Sequence, residues 1–215
     1  MRRFDLSVGR DHPGLEPEDC RWQASAEPFH DDILFIRNGL PSLQKLVAIA
    51  EARPGMFEKS LVVDSDGQVC EDRDHRSNSH FSLSAAGLPD ELSVYHVVCE
   101  AVCPTLIEAY RQIINPYAKA TRCLGYNLLR YHPGEFFDTH VDVVRGHPTY
   151  AARQISVVAF CNQGFKGGEL DFPRQRVKIE PEAGAVVLFP SAYTHPHASL
   201  AVTEGTKYSI ATGYD

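Results

Sequence analysis

The chain has 215 residues, 43% of them apolar, and a formal charge of −7. That length suffices for one sizeable core, so a single domain over residues 1–215 is expected. The acidic balance speaks against a nucleic-acid partner, and no continuous apolar run reaches membrane length, so neither partner is expected. Six cysteines (Cys20, Cys70, Cys99, Cys103, Cys123 and Cys161) form no CxxC pair, and no apolar stretch follows Arg2-Arg3. Reduced thiols, no secretory leader and a cytoplasmic location are therefore expected.

Residues 1–31 are polar and contain prolines, with Trp22 and Phe29 as anchors onto the body. Residues 42–52 have helix composition and stop at Arg53-Pro54-Gly55. Residues 64–82 are charged and turn-rich, which predicts a long loop; loops of that length often carry function. Asp90 to Ile114 is the longest helical signal, with Leu92, Tyr95, Cys99, Val102, Leu106 and Ile113 at helical spacing. Cys99 and Cys103 fall on one face as small apolar residues, and Pro104 should kink the helix or start a second one.

From Ala120 the texture changes. Short apolar runs at 121–131, 155–160, 169–172, 185–189 and 207–211 are punctuated by Gly and Pro, which predicts a sandwich or barrel. The expected architecture is α+β, with helical support and loop over 1–119 and a β-roll over 120–215. Gly167-Gly168 reads as a backbone turn, since no helix follows to make a phosphate cradle.

The chemistry concentrates in two stretches. Residues 131–142 end in His140-Val141-Asp142, and in a strand those two ligand-type side chains would project the same way. With a second histidine they would form a two-His-one-carboxylate set, which leaves one face of an octahedral metal open and suits non-haem Fe(II) oxygen chemistry. The other stretch, 189–209, offers His195 and His197, two residues apart, and spacing does not choose between them. His132 and His147 lie outside the motif and read as surface residues. A catalytic zinc hydrolase would use the same ligand types, and a non-catalytic β-roll would make the set accidental.

Residues 121–213 resemble the Fe(II)/2-oxoglutarate-dependent dioxygenases, in particular the prolyl-4-hydroxylase-like branch. The resemblance is carried by Leu128-Leu-Arg-Tyr131-x-Pro-Gly134, Phe137-x-x-His140-x-Asp142, Phe165-x-Gly-Gly168-Glu-Leu170, Leu188-Phe-Pro-Ser191 and Pro196-His197, then Val202-Thr-x-Gly205-Thr-x-Tyr208-Ser209. It implies a double-stranded β-helix (jelly-roll) core flanked by N-terminal helices. It implies Fe(II) held by His140, Asp142 and His197, with 2-oxoglutarate and dioxygen as co-substrates and ascorbate as an accessory reductant. His197 is favoured because in that family the distal histidine stands ten residues before the basic residue that binds the 2-oxoglutarate tail, here Lys207.

Relatives usually carry Arg there, a two-pronged carboxylate grip, whereas Lys is a point charge with rotatable donors. Lys207 is expected to reach the tail from a strand adjoining that of His197. The resemblance further implies that Ser209 adds a hydroxyl, that Tyr131 bonds the co-substrate and that Asn162 lines the pocket. Arg76, on the 64–82 loop, is expected to meet the primary substrate. Retention of Asp142 speaks against a halogenase, and the charge against a nucleic-acid demethylase. The substrate expected is an amino-acid-like small molecule, with a prolyl peptide as the alternative.

Overall fold

A computed structural model of the chain describes residues 1–8, 20–41, 43–63, 68–144, 146–147 and 149–215. The first half contains β1 (Arg2–Ser7), β2 (Arg21–His30), β3 (Ile33–Arg37), helix α1 (Gln44–Glu51), β4 (Glu58–Lys59), the small hairpin β5 (Val62–Val63) and β6 (Val69–Cys70), β7 (Ser79–Ser82) and helix α2 (Asp90–Ile113). Then come β8 (Asn127–Tyr131), β9 (Phe137–His140), β10 (Ile155–Phe160), β11 (Lys166–Gly167), β12 (Leu170–Phe172), β13 (Val177–Ile179), β14 (Val186–Pro190), β15 (His197–Ser199), β16 (Val202–Glu204) and β17 (Lys207–Tyr214).

Among the described residues, nine strands form a large antiparallel sheet in the order β1-β2-β3-β14-β10-β17-β8-β7-β4. Four form a smaller one, β13-β12-β15-β9. The central strands of the large sheet are buried on both faces, and their alternation sorts side chains into two layers. Ile155, Val157, Ala159, Val186, Leu188, Tyr208 and Ile210 join Leu92, Tyr95, Cys99, Val102 and Leu106 of α2 in one cluster. Phe160, Val187 and Phe189 point the other way and meet Leu170, Phe172 and Ile179 of the small sheet. Helices, large sheet and small sheet therefore lie in that order, with the second interface carrying the site.

The N-terminal part is less helical than expected. β1, β2 and β3 extend the large sheet beside β14, and β4 and β7 close its far edge. The expected loop over 64–82 is only partly a loop: residues 64–67 lie outside the described residues, β6 pairs with β5, and β7 pairs with β8 in the large sheet. The helix expected from residue 42 runs from Gln44; residue 42 itself is outside the described set. Trp22 does anchor, donating from Nε1 to the Asn38 carbonyl at 2.8 Å. Phe29 is 41% exposed, with its ring 6.2 Å from that of the buried Phe35.

α2 runs unbroken through Pro104. The carbonyl that Pro104 leaves without a donor belongs to Glu100, which is exposed, so water can take the bond. By length and composition α2 is also apolar enough to cross a membrane. Its apolar stripe is covered by the sheet, while Glu91, Glu100 and Glu108 lie on the open side.

Candidate active site

Pairing of β15 with β9 sets His197 opposite His140. β9 ends at His140, so Asp142 does not reach the centre by strand alternation; it lies just beyond, where its N–H donates to the Ser191 carbonyl at 3.1 Å. Asp142 Oδ1 is 3.5 Å from His140 Nε2, and Oδ2 is 3.7 Å from His197 Nε2. One ligand atom from each of the three lies within 4.8 Å of the others.

The ring nitrogens facing away fix the histidine tautomers. His140 Nδ1 is 2.7 Å from the Asp138 carbonyl, and His197 Nδ1 is 3.2 Å from the His195 carbonyl. A carbonyl only accepts, so each Nδ1 carries the proton and each Nε2 lone pair is turned toward Asp142. Burial lowers the His197 imidazole from 6.5 to about 4. Burial would raise the Asp142 carboxyl, but His197, His140 and Arg153 overcome it and hold Asp142 well below the usual carboxylate range. A neutral His197 imidazole and an outward-protonated His140 ring nitrogen beside an ionised carboxylate suit a divalent cation, and the three residues fit one. His195 is committed elsewhere, its Nε2 on the Asp31 carbonyl at 2.6 Å and its Nδ1 beside Thr194 Oγ1 at 3.0 Å.

The centre has aromatic and cationic walls. Phe137 stacks on His140 with ring centroids 3.5 Å apart, and the Arg76 guanidinium covers the other face of Phe137 at 4.2 Å. Phe189 meets His197 edge-on at 4.6 Å. Ser156 and Arg153, which the sequence did not single out, hold Asp142 together with Ser191, which entered only as the end of the Leu188–Ser191 motif. Ser156 donates to Asp142 Oδ2, Ser191 Oγ lies 2.7 Å from Ser156 Oγ, and Arg153 Nη1 is 3.5 Å from Asp142 Oδ1. A faint signal existed: Ser156 is the lone hydroxyl in the apolar run 155–160.

Lys207 opens β17 in the large sheet, opposite Tyr131 of β8. It is therefore not on a strand adjoining His197, as expected. Its side chain crosses between the sheets instead, donating to Ser199 Oγ at 2.8 Å and to the Gly168 carbonyl at 2.6 Å. Ser199 lies two residues past His197 on β15, so the ammonium arrives at the His197 strand from the opposite layer. Its charge sits 4.9 Å from the centre of the Tyr131 ring. Burial lowers the Lys207 ammonium from 10.5 to about 7, against a smaller raising pull from Glu169. Ser209 is buried and, two residues on, shares the Lys207 face of β17.

Two expected substrate contacts are otherwise engaged. Asn162 is a strut: its Nδ2 donates to the Thr206 carbonyl and its Oδ1 accepts from the Tyr208 N–H, both at 2.8 Å. Both amide atoms serve the turn before β17. Arg76 borders the site, but its Nε donates to Asn78 Oδ1 at 2.8 Å and its Nη1 to the Leu61 carbonyl at 3.2 Å. It ties the β5–β6 hairpin to Phe137 and so to His140.

Residues 126–214 match the model of the 2OG-Fe(II) oxygenase superfamily. Among curated proteins, prolyl 3-hydroxylase 1 of Gallus gallus is 36% identical over 73 residues, 32% of this chain and 10% of that protein. Prolyl 3-hydroxylase 3 of Mus musculus is 29% identical over 128 residues, 57% of this chain and 16% of that one. The matched segment thus spans only a small part of either relative. Among solved structures, a prolyl hydroxylase from Trichoplax adhaerens, in complex with a hypoxia inducible factor peptide fragment, aligns with a TM-score of 0.66 at 18% identity, covering 86% of this chain and 83% of that one. A Pseudomonas putida prolyl-4-hydroxylase gives 0.61 at 20% identity, with 86% and 92% covered. Those likenesses show a shared fold. The matched segment, less than half of the chain, contains the His140–Asp142–His197 cluster and the Lys207 pocket, and it is that segment which is similar to the 2OG-Fe(II) oxygenase superfamily.

Proposed function

We propose that this protein is an Fe(II)- and 2-oxoglutarate-dependent hydroxylase acting on an amino-acid-like small molecule. The observation that carries the reading is the pairing of an open-faced His140–Asp142–His197 set with a buried lysine on the neighbouring strand layer. When bound, iron with 2-oxoglutarate and dioxygen supplies the oxidising power, releasing succinate and carbon dioxide and placing one oxygen atom on the substrate as hydroxyl. His140 Nε2, His197 Nε2 and Asp142 hold the metal. Lys207 neutralises the tail carboxylate of 2-oxoglutarate, with Ser199, Ser209 and Tyr131 completing that end. Phe160, Phe172 and Phe189 keep water from the space between the sheets. Ascorbate belongs to the proposal as the reductant that restores Fe(II).

Arg153 supports a substrate that bears a carboxylate. It reaches Asp142 with Nη1, while its buried Nε has no hydrogen-bond partner among the described residues. A guanidinium beside Asp142, bordering the centre, suits the carboxylate of a free amino acid. The second reading, a prolyl residue within a peptide, is favoured by the names of the curated relatives and by the peptide held in the Trichoplax structure. Cysteines present as thiols support the reducing, cytoplasmic setting expected from composition. Succinate formation with Fe(II) under air, screened over free amino acids and over blocked prolyl peptides, tests both readings. Stimulation by free amino acids alone supports the first, and stimulation by blocked peptides alone replaces it with the second.

A further inference from the structure

Ser156, in the otherwise apolar strand β10, and Ser191, just past the end of β14, are fully buried hydroxyls, 1% and 0% exposed. The metal proposal above explains neither of them. Their proton arrangement follows from what they touch. Asp142 is ionised and can only accept, so the single Ser156 proton goes to Asp142 Oδ2. Ser156 Oγ then has only lone pairs left, so the 2.7 Å contact with Ser191 Oγ must be Ser191 donating to Ser156. The result is a one-way chain of protons, Ser191 to Ser156 to Asp142.

The backbone fixes that chain at both ends. Ser156 pairs with Phe189 on one side and with Gly213 on the other, at the centre of the large sheet. Ser191 accepts the Asp142 N–H on its own carbonyl, so the residue that orients the chain also anchors the residue that receives it. Arg153 approaches the other carboxylate oxygen across Gly213, where a Cβ would lie 2.2 Å from Arg153 Nε. Ser156 thus donates to one Asp142 oxygen and the Arg153 cation lies beside the other, and each oxygen faces a different histidine.

We infer that Ser156, oriented by Ser191, is a positioning residue that fixes the Asp142 carboxylate for metal binding. The inference rests on the metal role proposed for Asp142. Donors behind a ligating carboxylate set its plane and hold it ready, and their loss typically costs about 10- to 100-fold in metal affinity. The Ser191 hydroxyl acts only through Ser156, which gives it a distinctive signature: its effect disappears once the Ser156 hydroxyl is gone.

The test is Mn²⁺ binding, followed by the loss of the free-ion EPR signal, in Ser156→Ala, Ser156→Thr, Ser191→Ala and the double alanine variant. Thermal melting without metal is recorded for each. Ser156→Ala should weaken Mn²⁺ by about tenfold or more, Ser156→Thr should stay near the parent because it keeps the hydroxyl, and the double variant should match Ser156→Ala. A merely structural serine would lower the melting temperature of the metal-free protein and leave the affinity unchanged, and that result overturns the inference. So does additivity of the two alanine changes. His197→Ala is measured alongside. If it retains Mn²⁺ binding, the metal centre itself is wrong; if it loses binding while Ser156→Ala does not, only the role of Ser156 falls.

Discussion

Gly168 is where the Lys207 side chain passes: a Cβ built on it would lie 2.9 Å from Lys207 Cδ. The same atom would be 3.2 Å from Val202 and 3.3 Å from Phe165, and the backbone is left-handed there, with φ at +74°. The carbonyl of Gly168 also accepts from Lys207 Nζ. One residue therefore both makes room for the lysine and fixes its end. Gly168→Ala should cost about 1–2 kcal/mol from the backbone alone, which at this chain length lowers Tm by roughly 2–8 °C. The displaced ammonium should raise the 2-oxoglutarate needed for half-maximal turnover by about tenfold, equivalent to about 1.4 kcal/mol. Mn²⁺ affinity should hold. A variant with an unchanged 2-oxoglutarate requirement would show that the lysine has another route into the pocket.

The two histidines of the 195–197 pair should separate cleanly. His197→Ala removes one of three ligands and should weaken Mn²⁺ binding by about a hundredfold or more, roughly 2.7 kcal/mol. His195→Ala leaves the Asp31 carbonyl without its donor, which should lower stability by about 1–3 kcal/mol while metal binding persists. Equilibrium metal titration and urea unfolding read the two effects independently. Metal lost with His195 and kept with His197 would reverse the assignment.

The half that carries the candidate site was legible because its clustered side chains and turns sit at fixed offsets: His140 and Asp142, Gly168, and Lys207 ten residues after His197. The N-terminal strands were not. β2 buries only Ala24 and Ala26 from its alternating face, side chains too small to give a period-2 signal. β3 was readable in principle, since Ile33 to Ile36 is a fully buried run between positive-φ Asp32 and Asn38. Arg153 was illegible for another reason: its place depends on Gly213, sixty residues away in sequence and adjacent only through strand pairing.

Arg76 carries a third prediction. Its guanidinium caps Phe137, which stacks on His140, and it holds the Leu61 carbonyl of the segment leading into β5. Arg76→Ala removes a cation–π contact worth about 0.5–2 kcal/mol along with that tether. Hydrogen exchange of residues 61–63 and 68–70 should quicken, and Mn²⁺ affinity should drop severalfold as the His140 ring loosens. If exchange is unchanged and only the KM for the primary substrate rises, Arg76 binds substrate directly, as its loop position first indicated.

The last prediction concerns protons at Lys207. Burial lowers this ammonium from 10.5 to about 7, so above neutrality the ligand-free pocket holds a neutral amine. A carboxylate placed against it favours the charged form and raises its pKa. Binding of 2-oxoglutarate must then take up a proton wherever the pH lies between the free and bound values. Uptake should be small at pH 6, where the amine is already charged, and approach one proton near pH 8.5. Over that window the affinity should fall by up to about tenfold per pH unit. Folding follows the same linkage. The native pKa lies below the unfolded one, so between about pH 7 and 10 the unfolded chain binds more protons, and this lysine makes the ligand-free protein more stable as pH rises. Calorimetry of 2-oxoglutarate binding in two buffers of different ionisation enthalpy reads the uptake directly. Lys207→Met should abolish it and raise the Kd by about a hundredfold or more, since a buried carboxylate without its cation costs about 3–5 kcal/mol. Lys207→Arg should also bind poorly, because the planar fork must fit between Tyr131, Ser199 and Gly168, where a single ammonium is already held by two acceptors. Full proton uptake in Lys207→Met would move the titrating group elsewhere and sink the assignment of this pocket.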